Sequence, residues 1–269
     1  MLETRVLADA GGVIVRDVRC RHLLGPASEP AICGSAALVL VRRGCFTRHA
    51  NGRAEVLDPS TAYLQRCGQE ETFEHPTADG DECTVLNLDD DLFAELFGEQ
   101  VEPQPELPLP ATLAVLHRRI LAATDQDAQA EIALDLATRA AQLTHRHAAS
   151  LRRRDLTPAQ RQLVIAARES LAADPAQSLT SLAAKLAVST HHLSRIFSHA
   201  TGRGIARHRI ELRISAALQR LQAGEDNLAR LAADLGFADH AHLTRTLHRH
   251  TDSTPSELRH ELHPATTPR

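Results

Sequence analysis

The sequence predicts an α+β protein, with a small N-terminal β-barrel followed by helices and then an all-α C-terminal domain. Two observations support this fold class. Residues 1–92 contain several short runs rich in Val and Leu, separated by turn residues, as in small antiparallel sandwiches or barrels. From Thr157 onward the pattern is helical, and a helix-turn-helix pattern occurs twice, about fifty residues apart.

Length and composition are those of a globular chain. With 269 residues, of which 43% are hydrophobic, the chain is long enough for two domains with sizeable cores. No apolar run approaches the roughly 20 residues that span a bilayer. The N-terminal residues lack the basic start and long apolar run of a secretory signal. We therefore expect a cytoplasmic protein with no membrane partner.

Charge is distributed unevenly along the chain. Residues 1–155 carry 16 Lys/Arg and 24 Asp/Glu, whereas residues 156–262 carry 13 Lys/Arg and 10 Asp/Glu. The second segment is therefore basic by three charges, and it also holds nine of the sixteen histidines. A basic C-terminal half is typical of a segment that faces a polyanion, although scattered solvated charge would give a similar balance.

Asn51-Gly52 is the clearest turn signal in the N-terminal half. A two-residue hairpin loop needs φ > 0 at both positions, which Asn and Gly tolerate best. It joins residues 45–50 to residues 53–57, and Asp58-Pro59 ends the second strand. The full set of predicted strands is residues 12–19, 36–42, 45–50, 53–57, 61–66, 71–75 and 82–88.

A proline-rich connector and two helices follow the strands. Residues 99–110 contain four prolines, and helices are predicted over residues 111–123 and 127–149. The apolar stripe of the second helix could pack on its own domain or form a homodimer contact. A basic linker over residues 151–156 marks a domain boundary. The predicted domains are residues 1–98 (β-barrel), 99–155 (connector and helical hairpin), 156–262 (double helix-turn-helix) and 263–269 (tail).

Thr157-Pro158 begins the C-terminal helices, as an N-cap followed by proline at the first helical position. The helix over residues 205–222 would be roughly 27 Å long at 1.5 Å per residue. This length suits a strut between two units that read successive turns of a DNA major groove, about 34 Å apart. The other predicted helices cover residues 158–172, 181–187, 190–200, 228–235 and 239–250, with a short one from Ser256.

Both units carry residues that recur in a known family. In the first unit these are Leu182-Ala183, Ser189, Leu193-Ser194-Arg195, Phe197 and Thr201-Gly202, and Arg213 and Ala217 follow in the connecting helix. In the second they are Leu231-Ala232, Leu235-Gly236-Phe237, Thr244-Arg245, Thr254-Pro255-Ser256 and Arg259. Residues 157–262 thus resemble the DNA-binding domain of the AraC/XylS family of bacterial transcription regulators.

The sequence departs from the family pattern at a few positions. Leu243 and Leu247 stand where the family usually has Phe, Asp252 where it has Gly, and His208 and Leu258 where it has Tyr. Leu keeps the core apolar, and Asp tolerates the left-handed geometry of a helix end, so we expect the fold to survive.

The N-terminal half is similar to the cupin-like sensor domains of this family. The resemblance is carried by residues 40–60 and 75–86. It implies a small-molecule effector, double-stranded DNA and RNA polymerase as partners, and the role of an activator. The HxH-and-Glu metal pattern of cupin enzymes is absent, so no metal site, cofactor or catalytic residue is carried over, and we expect a regulator rather than an enzyme.

The first two turns of each recognition helix are expected to contact DNA. Arg195 and Arg245 could bond bidentately to guanine, or could instead form ion pairs with neighbouring helices. Arg203, Arg207, Arg209 and Arg230 could contact phosphates or simply form a solvated face. Adjacent histidines on a helix do not converge, so no metal is expected there. The predicted DNA-binding set is Thr190, His191, His192, Ser194, Arg195, His240, His242, Thr244, Arg245 and Arg203.

The β domain is expected to hold its effector in a concave apolar pocket. Its five cysteines offer an alternative signal, because a thiol or soft-metal sensor could use Cys67, His75 and Cys83, with Cys45 as a further candidate. The other interpretation is that these cysteines fill a small apolar core. A cupin-type enzyme with an accessory helical domain is the remaining alternative.

Overall fold

The computed structural model describes residues 2–21, 27–76, 80–98, 106–147 and 156–263. The predicted α+β class is confirmed: antiparallel sheets come first and helices follow. The strands are β1 (Leu2–Ala10), β2 (Val13–Cys20), β3 (Ala31–Ile32), β4 (Ala36–Arg43), β5 (Phe46–Ala50), β6 (Arg53–Leu57), β7 (Thr61–Gln65), β8 (Glu70–Glu74), β9 (Asp81–Leu88) and β10 (Leu107–Pro108).

The strands form two sheets that share one domain. One sheet has six strands in the order β1-β2-β9-β4-β7-β10, and the other has four in the order β3-β8-β5-β6. Every pairing is antiparallel. The Asn51-Gly52 hairpin is as predicted: φ is 52° at Asn51 and 69° at Gly52, and Ala50 pairs with Arg53.

The sequence pattern does not predict β1, the two-residue strands β3 and β10, or the first helix. β1 is mostly exposed, so its apolar residues do not alternate as they do in a half-buried strand. A Gly11-Gly12 turn, with φ of 61° and 78°, folds it onto β2. The first helix, Asp90–Phe97, starts at an Asp89 cap, whose carboxylate accepts from the backbone N–H of Leu92 at 2.8 Å.

The helices follow the predicted pattern closely from residue 111 onward. The helix over Ile205–Gln222 has the predicted bounds, and the others differ by one or two residues at their ends. The helices are α1 (Asp90–Phe97), α2 (Ala111–Ala122), α3 (Gln126–His147), α4 (Pro158–Ala173), α5 (Leu179–Lys185), α6 (Thr190–Thr201), α7 (Ile205–Gln222), α8 (Leu228–Asp234), α9 (His240–Thr251) and α10 (Pro255–Leu262).

The two predicted linkers fall largely outside the described residues. Of the proline-rich connector, Leu107–Pro108 forms β10 beside β7, and of the basic linker only Leu156 is described. None of the helices in the described ranges is long and apolar enough to cross a membrane.

The hydrophobic core does not divide the chain into two separate halves. One cluster runs from the six-stranded sheet through α2 and α3 into α7–α10, so the second helix-turn-helix unit shares its core with the helical hairpin. The first unit, with α4, has a core of its own, centred on Leu171, Leu182, Leu193 and Phe197. The two units are therefore attached to the N-terminal half in different ways.

Candidate nucleic-acid interface

The two helix-turn-helix units are built from equivalent residues. α5 and α8 begin at side-chain caps, Ser178 and Asn227, which accept from the third residue of each helix. Each helix buries one Leu-Ala pair, Leu182-Ala183 in α5 and Leu231-Ala232 in α8. Since the same positions are capped and buried in each copy, the repeat seen in the sequence is a repeat of structure.

The turn between the helices has the left-handed geometry in both units. Its residue is Ala187 in the first unit, with φ of 55°, and Gly236 in the second, with φ of 70°. In each case the next apolar residue donates its N–H back to the first helix: Val188 to the carbonyl of Ala183 at 3.0 Å, and Phe237 to that of Ala232 at 2.9 Å.

The second helices, α6 and α9, have twelve residues each. Ser189 and Asp239 cap them, as predicted, and accept from the N–H groups of His192 and His242 at 3.1 and 2.6 Å. Both helices end at a left-handed residue, Gly202 (φ 76°) in α6 and Asp252 (φ 58°) in α9. Asp252 thus occupies the geometry expected for the family glycine.

α6 and α9 leave equivalent faces exposed to solvent. Arg195 and Arg245 lie fifty positions apart in the sequence, are exposed, and form no ion pair with any described carboxylate. The alternative of ion pairs with neighbouring helices is therefore not what the structure shows. Thr190, His191 and His240 are also exposed.

The remaining predicted contacts in α6 and α9 are half-buried. The hydroxyl of Thr244 donates to the carbonyl of His240 at 2.9 Å, within its own helix. His242 Nδ1 accepts from the N–H of Ala238 at 3.3 Å, and its ring packs edge-on against Phe237. Both side chains therefore have local structural partners, whereas His192 and Ser194 are half-buried at the equivalent positions of α6.

Arg203 does not lie on the open face. Its side chain is 8% exposed; Nη1 donates to Glu211 at 2.6 Å, and Nη2 donates to the hydroxyl of Ser60 at 3.0 Å. In this conformation Arg203 joins the two halves of the chain and is not available to a phosphate. The sequence places it correctly after α6 but gives no sign of its long-range partner.

The other three phosphate candidates also have protein partners. Arg207 pairs with Glu211 one helical turn away, and Arg230 pairs with Glu225. Arg209 donates to the carbonyl of Gln177. Arg207 and Arg230 keep more than half of their side chains exposed, so these two remain on the solvated surface.

Arg213 of α7 links the two units. It donates to the carbonyls of Pro175 at 2.8 Å and Ala176 at 3.0 Å in the loop before α5, and to that of Gly236 at 2.7 Å in the second turn. Its guanidinium also lies over the ring of Phe237. The sequence matched Arg213 to a family pattern without indicating this role.

Residues 182–261 match a family model described as a helix-turn-helix domain. This part of the chain is an AraC-type helix-turn-helix domain. The match begins inside α5 and ends inside α10, so the AraC-type domain contains both recognition helices and the α7 strut. The resemblance inferred from the sequence is confirmed there.

Several solved structures are similar to this chain. An apo ToxT variant from Vibrio cholerae is 11% identical over 95% of this chain and 99% of its own, with a TM-score of 0.41. An AraC-type regulator structure from Chromobacterium violaceum is 24% identical over 42% of this chain and 100% of its own, with a TM-score of 0.36. A search of curated proteins found no significant match.

A buried ionic cluster connects the sheets to the AraC-type domain. Arg168 of α4 donates to Oδ2 of Asp58 from Nε at 3.0 Å and from Nη2 at 2.9 Å, and it also pairs with Glu106. Burial disfavours the charged carboxylate, but Arg168, His208, Arg203 and the Ser60 hydrogen bond together outweigh burial and hold the pKa of Asp58 well below its usual range. His208 Nε2 lies 3.4 Å from Asp58, and burial lowers the pKa of His208 to about 3.

The space between the two sheets is not lined by apolar residues alone, although it contains an apolar cluster around Phe46 and Tyr63. Arg48, 2% exposed, donates to Glu71 Oε1 at 2.9 Å and to Glu55 Oε2 at 2.9 Å. Its guanidinium lies 4.6 Å from the ring centre of Tyr63 on the opposite sheet. A charged group thus occupies part of the interior, because β6 places Glu55 directly opposite Arg48 and β8 places Glu71 on the same face, two residues along.

The cysteines occupy three kinds of environment. Cys33, Cys45 and Cys83 are buried, Cys20 at the end of β2 is half-buried, and Cys67 is exposed in the turn after β7. Burial raises the pKa of Cys33 to about 11, and it raises the pKa of Cys45 and Cys83 above the ordinary thiol value. Because oxidants react with thiolates, these three fit the core-filling interpretation better than thiol sensing.

The predicted soft-metal set needs correction. The structure does not bring Cys67 together with His75 and Cys83. In the described ranges, the potential metal ligands that come within 4.8 Å of one another are Cys20, His75 and Asp81. The sequence could not indicate this group, because strand pairing alone brings residue 20 beside residue 81.

Proposed function

We propose that the chain is a sequence-specific regulator of transcription, rather than an enzyme, which reads double-stranded DNA with α6 and α9. The observation that carries the proposal is the equivalence of these helices in length, capping and exposed face. Arg195 and Arg245 are the base-reading candidates, because each is exposed and has no carboxylate partner in the described chain. Thr190, His191 and His240 lie at the start of the same faces.

In this proposal the N-terminal domain receives a small-molecule signal and passes it through the ionic cluster. The first unit has its own apolar core and meets the sheets through Asp58, Arg168 and Arg203. A change in the β domain that moved Asp58 would therefore move α4 and α7 with it. We further propose that the regulator acts as an activator, with RNA polymerase as a partner, and that α3 supports a homodimer.

The experiment selects duplexes from a random pool with the purified full chain and measures affinity for the enriched site. Arg195→Ala and Arg245→Ala should each weaken specific binding by about 1–3 kcal/mol, or about 5- to 150-fold, if each reads a base. Nonspecific affinity should fall much less. Arg5→Ala is the matched control, because Arg5 is an exposed arginine on β1, outside both helix-turn-helix units and the proposed dimer helix. Failure to enrich any sequence would contradict the proposal.

A further inference from the structure

A small cluster of metal-ligating side chains lies at one end of the β domain. Cys20 is the last residue of β2 and pairs directly with Asp81, the first residue of β9. His75 follows β8 and places Nε2 2.6 Å from Oδ2 of Asp81. The His75 and Asp81 side chains are only 5% and 7% exposed. Three different donor types therefore converge in a largely buried place.

Two glycines allow this convergence. Gly80 has φ of +69°, and a Cβ there would lie 1.9 Å from the carbonyl oxygen of Cys20. Gly44 has φ of +87°, and its Cβ would lie 2.6 Å from the carbonyl oxygen of Gly80. Any side chain at either position would push the chain before Asp81 away from Cys20. The backbone is thus shaped so that the Cys20 and Asp81 side chains can meet.

Cys83 lies beside the cluster but is not a member of it. Its Sγ is 3.3 Å from Oδ1 of Asp81, yet the potential ligand atoms that are mutually close belong to Cys20, His75 and Asp81. One thiol, one imidazole and one carboxylate make a donor set that Zn²⁺ favours, whereas Mg²⁺ and Ca²⁺ take oxygen ligands.

The spacing of the donors fits tetrahedral binding after a small adjustment. Metal–ligand bonds of about 2.0–2.3 Å place neighbouring ligands of a tetrahedron about 3.3–3.8 Å apart. The potential ligand atoms of Cys20, His75 and Asp81 lie within 4.8 Å of one another. The His75–Asp81 hydrogen bond would open by about 0.7 Å, a movement that a carboxylate rotation supplies.

We propose that Cys20, His75 and Asp81 bind one divalent metal ion of the Zn²⁺ class, with water as the fourth ligand. Binding is coordination only. Cys20 loses its thiol proton to solvent and donates the resulting sulfur lone pair to the metal, with no change of oxidation state. The site lies in the N-terminal domain and stands independently of the DNA-reading function.

The test titrates the chelator-treated full chain with Co²⁺ and then with Zn²⁺. We expect one Co²⁺ per chain, with the near-ultraviolet charge-transfer absorption of a Co²⁺–thiolate bond, and displacement of Co²⁺ by Zn²⁺. Cys20→Ser and His75→Gln should weaken Co²⁺ binding by about a hundredfold or more, because even loss of a ligand's hydrogen-bond partner costs about 10- to 100-fold.

Cys67→Ser is the matched control, because Cys67 is an exposed thiol outside the cluster. It should leave Co²⁺ affinity and absorption unchanged. Cys20 is half-buried at the end of a strand, so Cys20→Ser should fold even if His75→Gln does not, and circular dichroism checks this. The proposal is overturned if the wild-type chain takes up no stoichiometric Co²⁺ or Zn²⁺, or if folded Cys20→Ser binds as tightly as the wild type.

The same preparations are assayed for DNA binding, so that the two proposals fail separately. Loss of sequence preference with an intact metal site would contradict only the proposed DNA function. Absence of metal binding in a chain that still selects a DNA site would contradict only the metal site.

Discussion

At the residue scale, two different residues adopt the same left-handed backbone geometry in the turns of the two units. The turn of the first unit uses Ala187 at φ 55°, and that of the second uses Gly236 at φ 70°. A Cβ at Gly236 would lie 2.9 Å from Nη2 of Arg213 and 3.0 Å from the Cα of Ala176. Alanine is therefore accepted at one copy and excluded from the other by its neighbours.

Reciprocal substitutions should consequently have unequal effects on the free energy of unfolding. Ala187→Gly relieves a left-handed strain of about 1–2 kcal/mol but makes the unfolded chain more flexible, so the net change should lie within about 1 kcal/mol of zero. Gly236→Ala adds the strain and the close contacts, and should cost at least about 2 kcal/mol. Urea denaturation measures both, and equal losses would contradict this account.

Contacts between residues far apart in the sequence decide which of the predicted arginines face solvent. Their place in the recognition helices predicts Arg195 and Arg245 as DNA contacts, and both are exposed. Arg203 is predicted as a phosphate contact, yet its side chain is buried against Ser60 and Glu211. The difference is a contact across 143 residues of sequence, which no local pattern encodes.

At the element scale, α7 is more than a spacer between the two units. Its Arg213 satisfies three backbone carbonyls, two in the loop before α5 and one in the turn before α9. Because the guanidinium is planar and has several donors, it can hold both segments at once. Lysine offers a single charged centre on a flexible stem and cannot reproduce this arrangement.

Removing this link should destabilise the domain and uncouple the units. Arg213→Ala should cost about 2–4 kcal/mol, because three hydrogen bonds from a charged donor are lost and partly buried carbonyls lose their partner. Arg213→Lys should recover less than half of that loss. Arg220→Ala, on the same helix, is the control and should cost at most about 1 kcal/mol, because its partner Asp234 is half exposed and Glu225 keeps Arg230 as an ion-pair partner. Thermal unfolding distinguishes them, and similar losses in Arg213→Ala and Arg220→Ala would refute the link.

At the scale of the whole molecule, the two units are held to the N-terminal half by different forces. The second unit shares an apolar core with α2 and α3. The first is held by the cluster of Asp58, Arg168 and His208, all buried. Apolar contacts depend little on pH, whereas a buried ionic contact depends on the protonation of its members. The first unit should therefore be the one that acid loosens.

The stability of this contact should fall as the pH drops below about 6.5. Burial lowers the pKa of His208 to about 3, with Arg203 and Arg168 adding to the effect and Asp58 opposing it. Between pH 6.5 and 3 the unfolded chain therefore binds more protons than the folded chain. Each unit by which the pH falls in this range lowers the free energy of unfolding by up to about 1.4 kcal/mol. Above pH 6.5 His208 is neutral in both the folded and the unfolded state, so it no longer makes the free energy of unfolding depend on pH.

The comparison of two histidine variants checks this slope. His208→Gln should flatten the loss of stability between pH 6.5 and 5, even if its stability at pH 8 is lower. His191→Gln, which changes an exposed histidine on α6, should keep the wild-type slope. Urea midpoints measured across this pH range give both slopes, and identical slopes for the two variants would show that His208 is not responsible.

The sequence by itself determined the features that depend on neighbouring residues. Local chemistry and periodicity account for four of these features: the Asn51-Gly52 hairpin, the caps Ser189 and Asp239, the bounds of α7 and the doubled helix-turn-helix pattern. These features fixed the α+β class, and the helix-turn-helix residues pointed to the family of the C-terminal domain.

Only the tertiary structure decided which distant side chains meet. The pairing of β2 with β9 places Cys20 beside Asp81, and α4 brings Arg168 to Asp58. The polar interior around Arg48 arises in the same way, from strand register. Contacts of this kind depend on the register and packing of segments far apart in the chain, and these are set by the free energy of the whole fold and not by any short stretch of sequence.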